Sequence, residues 1–257
     1  MRNKSALIGY TGFIGSNLLN FKKNLVKYNS KNICKIRNQE FDTIICAGTS
    51  SKIWIAKKRP KEDKKKIENL INNLKSVKTK IFILISTSEV YGKSKICLEN
   101  NQNLKKKNSN YGLNRLMLET FIEKKFENHC ILRLPIVYGK NFSKNFIFDL
   151  INNHEIYKLN GSDLIQIYNV ANLKKDIKFA IKNKIRKLNI SSKPMKLSFI
   201  AKKFFNIKLN SKKKFRIIDI KSIYGKYNGY FYNKKKTQKD LLTFLRKNKI
   251  WNIVYQI

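Results

Sequence analysis

The stretch GYTGFIG, residues 9–15, places glycines at positions 9, 12 and 15. It follows the apolar run ALIG and opens FIGSNLLNFKK, in which apolar residues recur at helical spacing. At such a junction Gly9 permits a tight turn, Gly12 lets a pyrophosphate approach the backbone, and Gly15 lets helix and strand pack closely. The start of the helix offers N–H groups to a phosphate. Because the spacing is GxxGxxG and not GxGxxG, a purely structural turn is the alternative.

Beyond this loop, segments of strand and helix character alternate. Buried strands are expected in DTIICAG and KIFILIST, a short strand in NLVKYN and another at the start of CILRLPIVYG. Helices are expected over 61–76 and in NYGLNRLMLETFIEKKF. This alternation predicts an α/β fold, a Rossmann-type doubly wound parallel sheet. After about residue 140 the pattern becomes mixed, with helices expected in NFIFDLI, NLKKDIKFAI and LSFIAKKFF. We therefore expect a dinucleotide-binding Rossmann domain over 1–140 and a small substrate-binding region over 141–257 that partly returns to the core.

The composition fits a chain with a sizeable core. Of 257 residues 42% are hydrophobic, and the longest apolar stretch, IFILIS, is far shorter than the roughly 20 residues that span a bilayer. No signal-peptide pattern is visible, so a cytoplasmic location is expected. The four cysteines form no CxxC pair, and Cys46 and Cys130 lie in apolar runs that predict buried thiols in a reducing compartment. No metal site is expected.

A net charge of +40 raises the question of nucleic-acid binding. The basic residues are nearly all lysine and are scattered through the chain, whereas a nucleic-acid interface concentrates arginine and aromatic residues on one face. We interpret the runs KKRPKEDKKK (57–66) and NKKK (233–236) as solvated faces and loops. Specific nucleic-acid binding is therefore not expected, although it remains a third class of function beside an enzyme and a non-catalytic binding protein.

Three further motifs point to a known family. STSEVYG (86–92) ends a predicted strand, YGLNR (111–115) lies on a predicted helix, and LRLPIVYG spans 132–139. Together with the glycine loop they resemble the extended short-chain dehydrogenase/reductase family, the NAD-dependent epimerase/dehydratases that act on nucleotide sugars. The resemblance implies NADP or NAD as cofactor, a nucleotide-sugar substrate, and a homodimer formed through segments 61–76 and 110–127.

The resemblance also implies roles for individual residues. Thr87 would hold the reacting oxygen, Tyr111 would move its proton, and Arg115 stands where the family has lysine. The implied catalytic residues are Thr87, Tyr111, Arg115 and Glu89. The implied cofactor-binding residues are Gly9, Thr11, Gly12, Phe13, Ile14, Gly15, Ala47, Gly48, Tyr111, Arg115 and Pro135.

The spacing of Tyr111 and Arg115 is chemically meaningful. Residues i and i+4 share one face of a helix, so both can reach one cleft. A tyrosine titrates near 10, and a cation about 4 Å away lowers that pKa substantially, so Arg115 is expected to favour the phenolate of Tyr111. The guanidinium is flatter and wider than an ammonium. The alternative is therefore a catalytically impaired protein that binds dinucleotide with little or no turnover.

Departures from the family pattern bear on the reaction and on the cofactor. Ser88 stands before Glu89, where dehydratases have aspartate, which disfavours 4,6-dehydration and leaves epimerisation, reduction or decarboxylation. Glu89 has a second interpretation, as a carboxylate that caps the following turn.

The second strand ends in VKYNSK (26–31), where the acidic residue of NAD-preferring sites is missing and Lys27 and Lys31 are near. NADP is therefore expected to bind at least as well as NAD. The resemblance places the reaction in surface polysaccharide synthesis.

Overall fold

The structure is a computed structural model of the 257-residue chain. It describes the parts of the chain given by residues 4–50, 53–92, 94, 97–101, 104 and 108–248. By contacts between Cα atoms the chain groups into two compact units, Met1–Leu134 with Ala171–Asn189, and Pro135–Val170 with Ile190–Ile257. The functional limits proposed from the sequence, 1–140 and 141–257, remain a prediction.

The elements follow in chain order. The strands are β1 (Ser5–Ile8), β2 (Leu25–Tyr28), β3 (Glu40–Cys46), β4 (Lys78–Thr87), β5 (His129–Leu134), β6 (Ile136–Tyr138), β7 (Leu164–Ile165), β8 (Ile167–Asn169), β9 (Lys187–Asn189) and β10 (Met195–Lys196). The helices are α1 (Phe13–Asn17), α2 (Ile53–Lys58), α3 (Pro60–Leu74), α4 (Asn110–Lys125), α5 (Phe146–Ile151), α6 (Leu173–Lys182), α7 (Leu197–Phe205) and α8 (Lys234–Lys247). Short 3-10 turns cover Ile33–Ile36, Ser88–Tyr91, Ile156–Lys158 and Val170–Asn172.

The first unit contains a six-stranded sheet in the order β2-β1-β3-β4-β5-β9, in which every neighbouring pair is parallel. The central strands are continuous apolar runs because a parallel sheet is covered on both faces. Ile44, Phe82 and Ile131 belong to one core cluster with Leu70 of α3 and Leu118 of α4. The chain runs from β1 to β2 on one side of β1, then crosses to β3 on its other side and continues outward to β4 and β5. This reversal of direction confirms the predicted doubly wound α/β fold.

Helix α1 is shorter than predicted. The helical spacing continued to the lysines at 22 and 23, but α1 ends at Asn17 and turns follow it up to β2. Both the Ser16 hydroxyl and the Asn17 side-chain amide donate to the Phe13 carbonyl oxygen, at 3.0 and 2.9 Å. Such local side-chain bonds compete with helical hydrogen bonding and favour a helix end.

The second unit has its own core and two small sheets, β6 with β8 in parallel and β7 with β10 antiparallel. The expected helices in NFIFDLI and LSFIAKKFF are α5 and α7. The run 233–236, interpreted as a solvated face or loop, is solvated at Lys234 and Lys235 but is the start of a helix and not a loop. Asn233 accepts a hydrogen bond from the Lys236 N–H at 2.8 Å and so caps α8, which buries Leu241, Phe244 and Leu245.

The expected buried thiols are confirmed. Cys46 and Cys130 are 0% and 1% exposed. Burial raises the pKa of Cys46 to about 11 and that of Cys130 to about 12, because a thiolate is disfavoured in an apolar surrounding. Cys34 is exposed and Cys97 is half-buried, and none of the four thiols forms a disulfide within the described residues.

Candidate active site

The glycine loop has the geometry that its sequence suggested. Gly9 adopts φ +83°, and a Cβ there would clash with the carbonyl oxygen of Ala47. A Cβ on Gly15 would clash with the carbonyl oxygen of Gly9, so this glycine allows α1 to pack on the turn. Gly12 differs, because a Cβ there would meet only the Gly9 oxygen at 3.4 Å and would otherwise project into open space. A side chain at position 12 would fill the space above the loop.

That space continues into a cleft of about 300 Å³. It lies at the carboxyl ends of three neighbouring strands: the glycine loop follows β1, Asn29 and Ser30 follow β2, and Gly48–Ser50 follows β3. Its volume is at the lower end of the range for ligand pockets, large enough for part of a dinucleotide. In doubly wound sheets ligands bind where the strand order reverses, which in this sheet is between β1 and β3.

The cleft contains some of the residues implied for the cofactor and not others. The implied residues that line it are Gly9, Thr11, Gly12, Ala47 and Gly48. The implied residues that are not among those lining it are Phe13, Ile14, Gly15, Tyr111, Arg115 and Pro135. Pro135 follows β5 and is grouped by contacts with the other unit. The loop thus offers its backbone at Gly9 and Gly12, and open space meets the missing Cβ of Gly12, so the chain fits a dinucleotide pyrophosphate at this point.

Tyr111 and Arg115 meet as their spacing predicted. They lie one turn apart on α4, whose first turn is capped by Ser109 accepting from the Gly112 N–H at 3.2 Å. The guanidinium carbon of Arg115 lies 4.2 Å from the centre of the Tyr111 ring. Both the Tyr111 hydroxyl and an Arg115 Nη2 donate to the carbonyl oxygen of Ser50, at 3.3 and 2.7 Å. Because Ser50 lines the cleft, this pair lies directly behind one wall of it.

Arg115 has a partner that sequence reasoning missed. Asp63 accepts from both terminal nitrogens of Arg115, at 3.0 and 3.1 Å, and from the Asn114 side-chain amide at 2.8 Å. The run 57–66 had been interpreted as solvated, yet Asp63 is only 6% exposed. The signal was present in the sequence, because Asp63 stands at i−4 and i−7 from the buried Ile67 and Leu70 and so shares their helix face.

The expected effect of Arg115 on Tyr111 is outweighed. Burial raises the pKa of Tyr111, and the nearby Arg115 cation only partly lowers it, while Glu89 and Asp63 add to the rise. The prediction that the arginine would favour the phenolate was therefore wrong for the net effect, although the direction of its own contribution was right. In this structure the Tyr111 hydroxyl is a protonated donor to Ser50.

Thr87 and Glu89 lie at the end of β4. The Thr87 hydroxyl accepts from the Glu89 N–H at 3.2 Å, so Thr87, and not Glu89, caps the 3-10 turn that follows. This turn is adjacent to the start of α4, because a Cβ on Gly112 would lie 2.6 Å from the Glu89 carbonyl oxygen. The structure therefore brings the turn of Thr87 and Glu89 close to the helix of Tyr111.

A second buried network lies behind this turn. Arg133 of β5 donates to the Glu119 carboxylate at 2.6 to 3.2 Å and to the Tyr91 hydroxyl at 2.9 Å. Glu119 also accepts from the Ser86 hydroxyl, and the Tyr91 oxygen is hydrogen-bonded to Asn189. Burial raises the pKa of Tyr91 to about 12, although Arg133 and Asn189 oppose the rise. Ser86 and Tyr91 belong to STSEVYG and Arg133 to LRLPIVYG, but these motifs did not indicate the network, because its bonds join residues of separate elements.

The described residues contain neither a metal-ligand cluster nor a membrane-spanning helix. In the ranges given above, histidine, cysteine and carboxylate side chains form no group of three or more that could hold a metal ion. None of the helices in the described part of the chain is both long and apolar enough to cross a membrane.

Comparison with known proteins identifies the family. The model of the NAD dependent epimerase/dehydratase family matches residues 29–167, more than half of the chain, and this match begins after the glycine loop. The chain belongs to this family, as its motifs predicted. The family is NAD dependent, and the expected class of cofactor, NAD or NADP, is thereby confirmed. A search of curated proteins gave no match.

Solved structures with the same fold come from enzymes of nucleotide sugars. A dTDP-4-dehydrorhamnose reductase from Clostridium acetobutylicum has a TM-score of 0.73 at 15% identity, over 96% of this chain and 99% of that one. The reductase from Bacillus anthracis, in complex with NADP, has a TM-score of 0.72 at 18% identity, over 96% and 99%. A UDP-N-acetylglucosamine 4-epimerase from Methanobrevibacter ruminantium has a TM-score of 0.69 at 15% identity, over 98% of both. At these identities the similarity shows the fold.

Proposed function

We propose that the protein is an NAD(P)-dependent enzyme that acts on a nucleotide sugar by epimerisation, reduction or decarboxylation, in the synthesis of a surface polysaccharide. The observation that carries the proposal is the Tyr111–Arg115 pair, placed behind the wall of the cleft that the glycine loop opens. The family match and the sugar-nucleotide enzymes with the same fold support the substrate class.

Different cleft residues would bind different parts of the cofactor. Gly9 and Gly12 offer backbone to the pyrophosphate, and Asn29 and Ser30 at the end of β2 offer polar groups to a ribose. When bound, a nicotinamide cofactor takes up or gives a hydride at a sugar carbon. In reduction, the protonated Tyr111 hydroxyl would leave Ser50 and give its proton to the sugar oxygen. In oxidation, Tyr111 would first have to release its proton to solvent, and its phenolate would then take the proton of the sugar hydroxyl.

Thr87 and Glu89 complete the proposed site. The half-buried Thr87 hydroxyl would donate a hydrogen bond to the reacting sugar oxygen and hold it for Tyr111. The Thr87 oxygen already accepts from the Glu89 N–H, so Thr87 would act toward the sugar through its O–H donor. The exposed Glu89 would supply a carboxylate at the same turn. Serine at position 88 leaves the dehydratase acid missing, so 4,6-dehydration is not proposed.

The decisive experiment offers dTDP- and UDP-sugars to the protein with each of the reduced and oxidised cofactors. Products are identified by mass spectrometry and NMR, and reduction is followed by nicotinamide absorbance. We expect turnover that Tyr111→Phe lowers by at least about 100-fold while cofactor affinity changes little. Tyr157→Phe, at a tyrosine that is 74% exposed, is the matched control and should leave turnover unchanged.

Two outcomes would contradict the proposal. Full activity of Tyr111→Phe would remove Tyr111 from catalysis. Cofactor binding without hydride transfer to or from any sugar nucleotide would favour the alternative, a catalytically impaired dinucleotide-binding protein.

We further propose that NADP binds at least as tightly as NAD. Neither Asn29 nor Ser30 carries the acid typical of NAD sites, and the lysine that lines the cleft among the described residues is Lys66 of α3, not Lys27 or Lys31. Titration calorimetry should show Lys66→Met weakening NADP binding about tenfold more than NAD binding, as expected for one lost charge–phosphate contact. The control Lys65→Met, one residue away on the solvated face, should change neither, and a clear preference for NAD would refute the proposal.

We also propose a cytoplasmic homodimer that assembles through α4. The buried apolar residues of α3 and α4 serve the core, among them Ile67 and Ile122, so they are not available to a partner. An apolar stripe remains on α4, where Leu113 is 36% exposed and Met117 is half-buried. Light scattering at micromolar concentration should give twice the 30.3 kDa of the chain, and Leu113→Glu should give the monomer. A wild-type particle of one chain mass would exclude the dimer.

A further inference from the structure

The wall of the cleft contains a buried ion pair that the family resemblance did not include. Asp63 of α3 lines the cleft and binds both terminal nitrogens of Arg115. Asn114, the neighbour of Arg115 on α4, donates to the same carboxylate at 2.8 Å. One carboxylate thus holds two successive residues of the helix that carries Tyr111.

The guanidinium of Arg115 is committed by these bonds. Its side chain is 2% exposed, it pairs bidentately with Asp63, and its Nη2 also donates to Ser50 at 2.7 Å. A buried arginine with these partners cannot turn toward a ligand without breaking the pair and leaving the Asp63 carboxylate uncompensated. Asp63 of α3 therefore determines where the Arg115 guanidinium lies on the Tyr111 ring.

We propose that Asp63 is a positioning residue of this site, which fixes the Arg115 guanidinium against the Tyr111 ring and offsets its charge. The inference rests on the proposed function only for the role given to Tyr111. Three charged groups act on Tyr111: Arg115 from its own helix, Asp63 from α3, and Glu89 from the turn after β4. The cation favours the Tyr111 phenolate and the two carboxylates oppose it. Removing the Asp63 carboxylate should therefore lower the pKa of Tyr111, and removing the Arg115 cation should raise it.

The test measures the ionisation of Tyr111 in the protein without cofactor or substrate. Protein with ¹³C-labelled tyrosine is titrated by NMR, and the signal lost in Tyr111→Phe identifies the residue. Asp63→Asn keeps the shape of the side chain and removes its charge, so the titration midpoint of Tyr111, the pH at which half of it is ionised, should fall by about one pH unit. Arg115→Gln should raise the midpoint, and the double variant Asp63→Asn with Arg115→Gln should lie between the two single variants.

Two controls separate positioning from simple support of the fold. Glu62→Gln removes an exposed carboxylate from the same turn of α3, where it pairs with the exposed Arg59, and should leave the Tyr111 midpoint unchanged. Asp63→Glu keeps the charge and should return the midpoint close to that of the wild type. A merely structural Asp63 would give a less stable Asp63→Asn protein with an unchanged Tyr111 midpoint, and this result would overturn the inference.

Each variant tests the inference independently. If Asp63→Asn does not fold, an Arg115→Gln midpoint that falls or stays unchanged overturns the inference equally well. The titration needs no turnover, so an inactive wild-type protein would refute the proposed function and leave this result intact. In an active protein, the pH profile of turnover should shift toward lower pH in Asp63→Asn and not in Glu62→Gln.

Discussion

Arg115 and Arg133 are both 2% exposed, and each pairs bidentately with a carboxylate, but their surroundings differ. Arg133 lies on β5 of the sheet, and all three of its nitrogens donate, to Glu119 and to Tyr91. Burial disfavours the charged form of Arg133, but Glu119 and Tyr91 outweigh it and raise its pKa. Arg115 lies at a cleft, and its Nε finds no acceptor among the residues that the structure describes.

The difference between these pairs indicates what each contributes. A network in which every donor is satisfied rigidifies a core, and its members depend on one another. The Arg115–Asp63 pair contains a buried donor without an acceptor among the described residues, and such a donor lowers the stability of the folded state. Donors of this kind are found at sites that serve a function. We therefore expect the inner pair, Arg133 with Glu119, to support the fold and the cleft pair, Arg115 with Asp63, to adjust the site.

The largest expected effect is at the inner pair. Arg133→Met leaves Glu119 buried with the Ser86 hydroxyl as its remaining donor, at 2.5 Å, and removes a donor from Tyr91. The free energy of unfolding should fall by about 3 to 5 kcal/mol, as for other broken buried pairs. Urea denaturation followed by circular dichroism measures this, and a loss below about 1 kcal/mol would contradict the structural role given to the pair.

The buried Tyr91, which accepts from the inner pair's Arg133, makes stability depend on alkaline pH, because burial raises its pKa although Arg133 opposes the rise. The folded protein raises the pKa of Tyr91 from 10.0 to about 12, so this contribution is fully present below pH 10 and is lost as pH rises through 12. The loss amounts to about 2 to 3 kcal/mol for two pKa units. Urea midpoints between pH 9 and 11.5 should fall less steeply in Tyr91→Phe than in the wild type. Parallel curves for the two proteins would show that Tyr91 does not titrate as stated.

A smaller effect is expected at the cleft pair. Arg115→Met leaves the Asp63 carboxylate with the Asn114 amide, and water can reach Asp63 from the cleft. The free energy of unfolding should fall by about 2 kcal/mol, the cost of lost hydrogen bonds to a charged group. Measured beside Arg133→Met in the same denaturation series, an equal or larger loss would remove the distinction between the two pairs.

The smallest effect is expected at an exposed pair on the helix of Asp63. Lys64 and Glu68 lie 3.6 Å apart with side chains 58% and 48% exposed. Glu68→Gln should change the free energy of unfolding by less than about 0.5 kcal/mol, because solvent screens such pairs. This variant is the surface reference for the series, and thermal unfolding at low and high salt should show the same small value.

The sequence predicted the fold well because the fold depends on local periodicity. The continuous apolar runs that became β3 and β4 and the apolar spacing of α3 are patterns within single elements. The meeting of Tyr111 with Arg115 was predictable for the same reason, since i and i+4 are neighbours on one helix.

The parts that sequence reasoning missed depend on contacts between elements. Glu119 and Arg133 lie on two consecutive elements and meet only when α4 packs on β5. Asp63 was obscured by the lysines around it, although its spacing from Ile67 placed it on the buried face. The lysine-rich start of α8 was missed because its cap, Asn233, precedes three lysines that resemble a loop.

The two buried cysteines of the sheet can report how often the folded protein opens. Cys46 and Cys130 lie on β3 and β5, on either side of β4, while Cys34 is exposed. Reagents attack the thiolate, so Cys34 reacts in the folded protein, whereas the other two react only when the strands that cover them separate. The labelling rates of these thiols, read by mass spectrometry, therefore report how often the sheet opens on each side of its central strand.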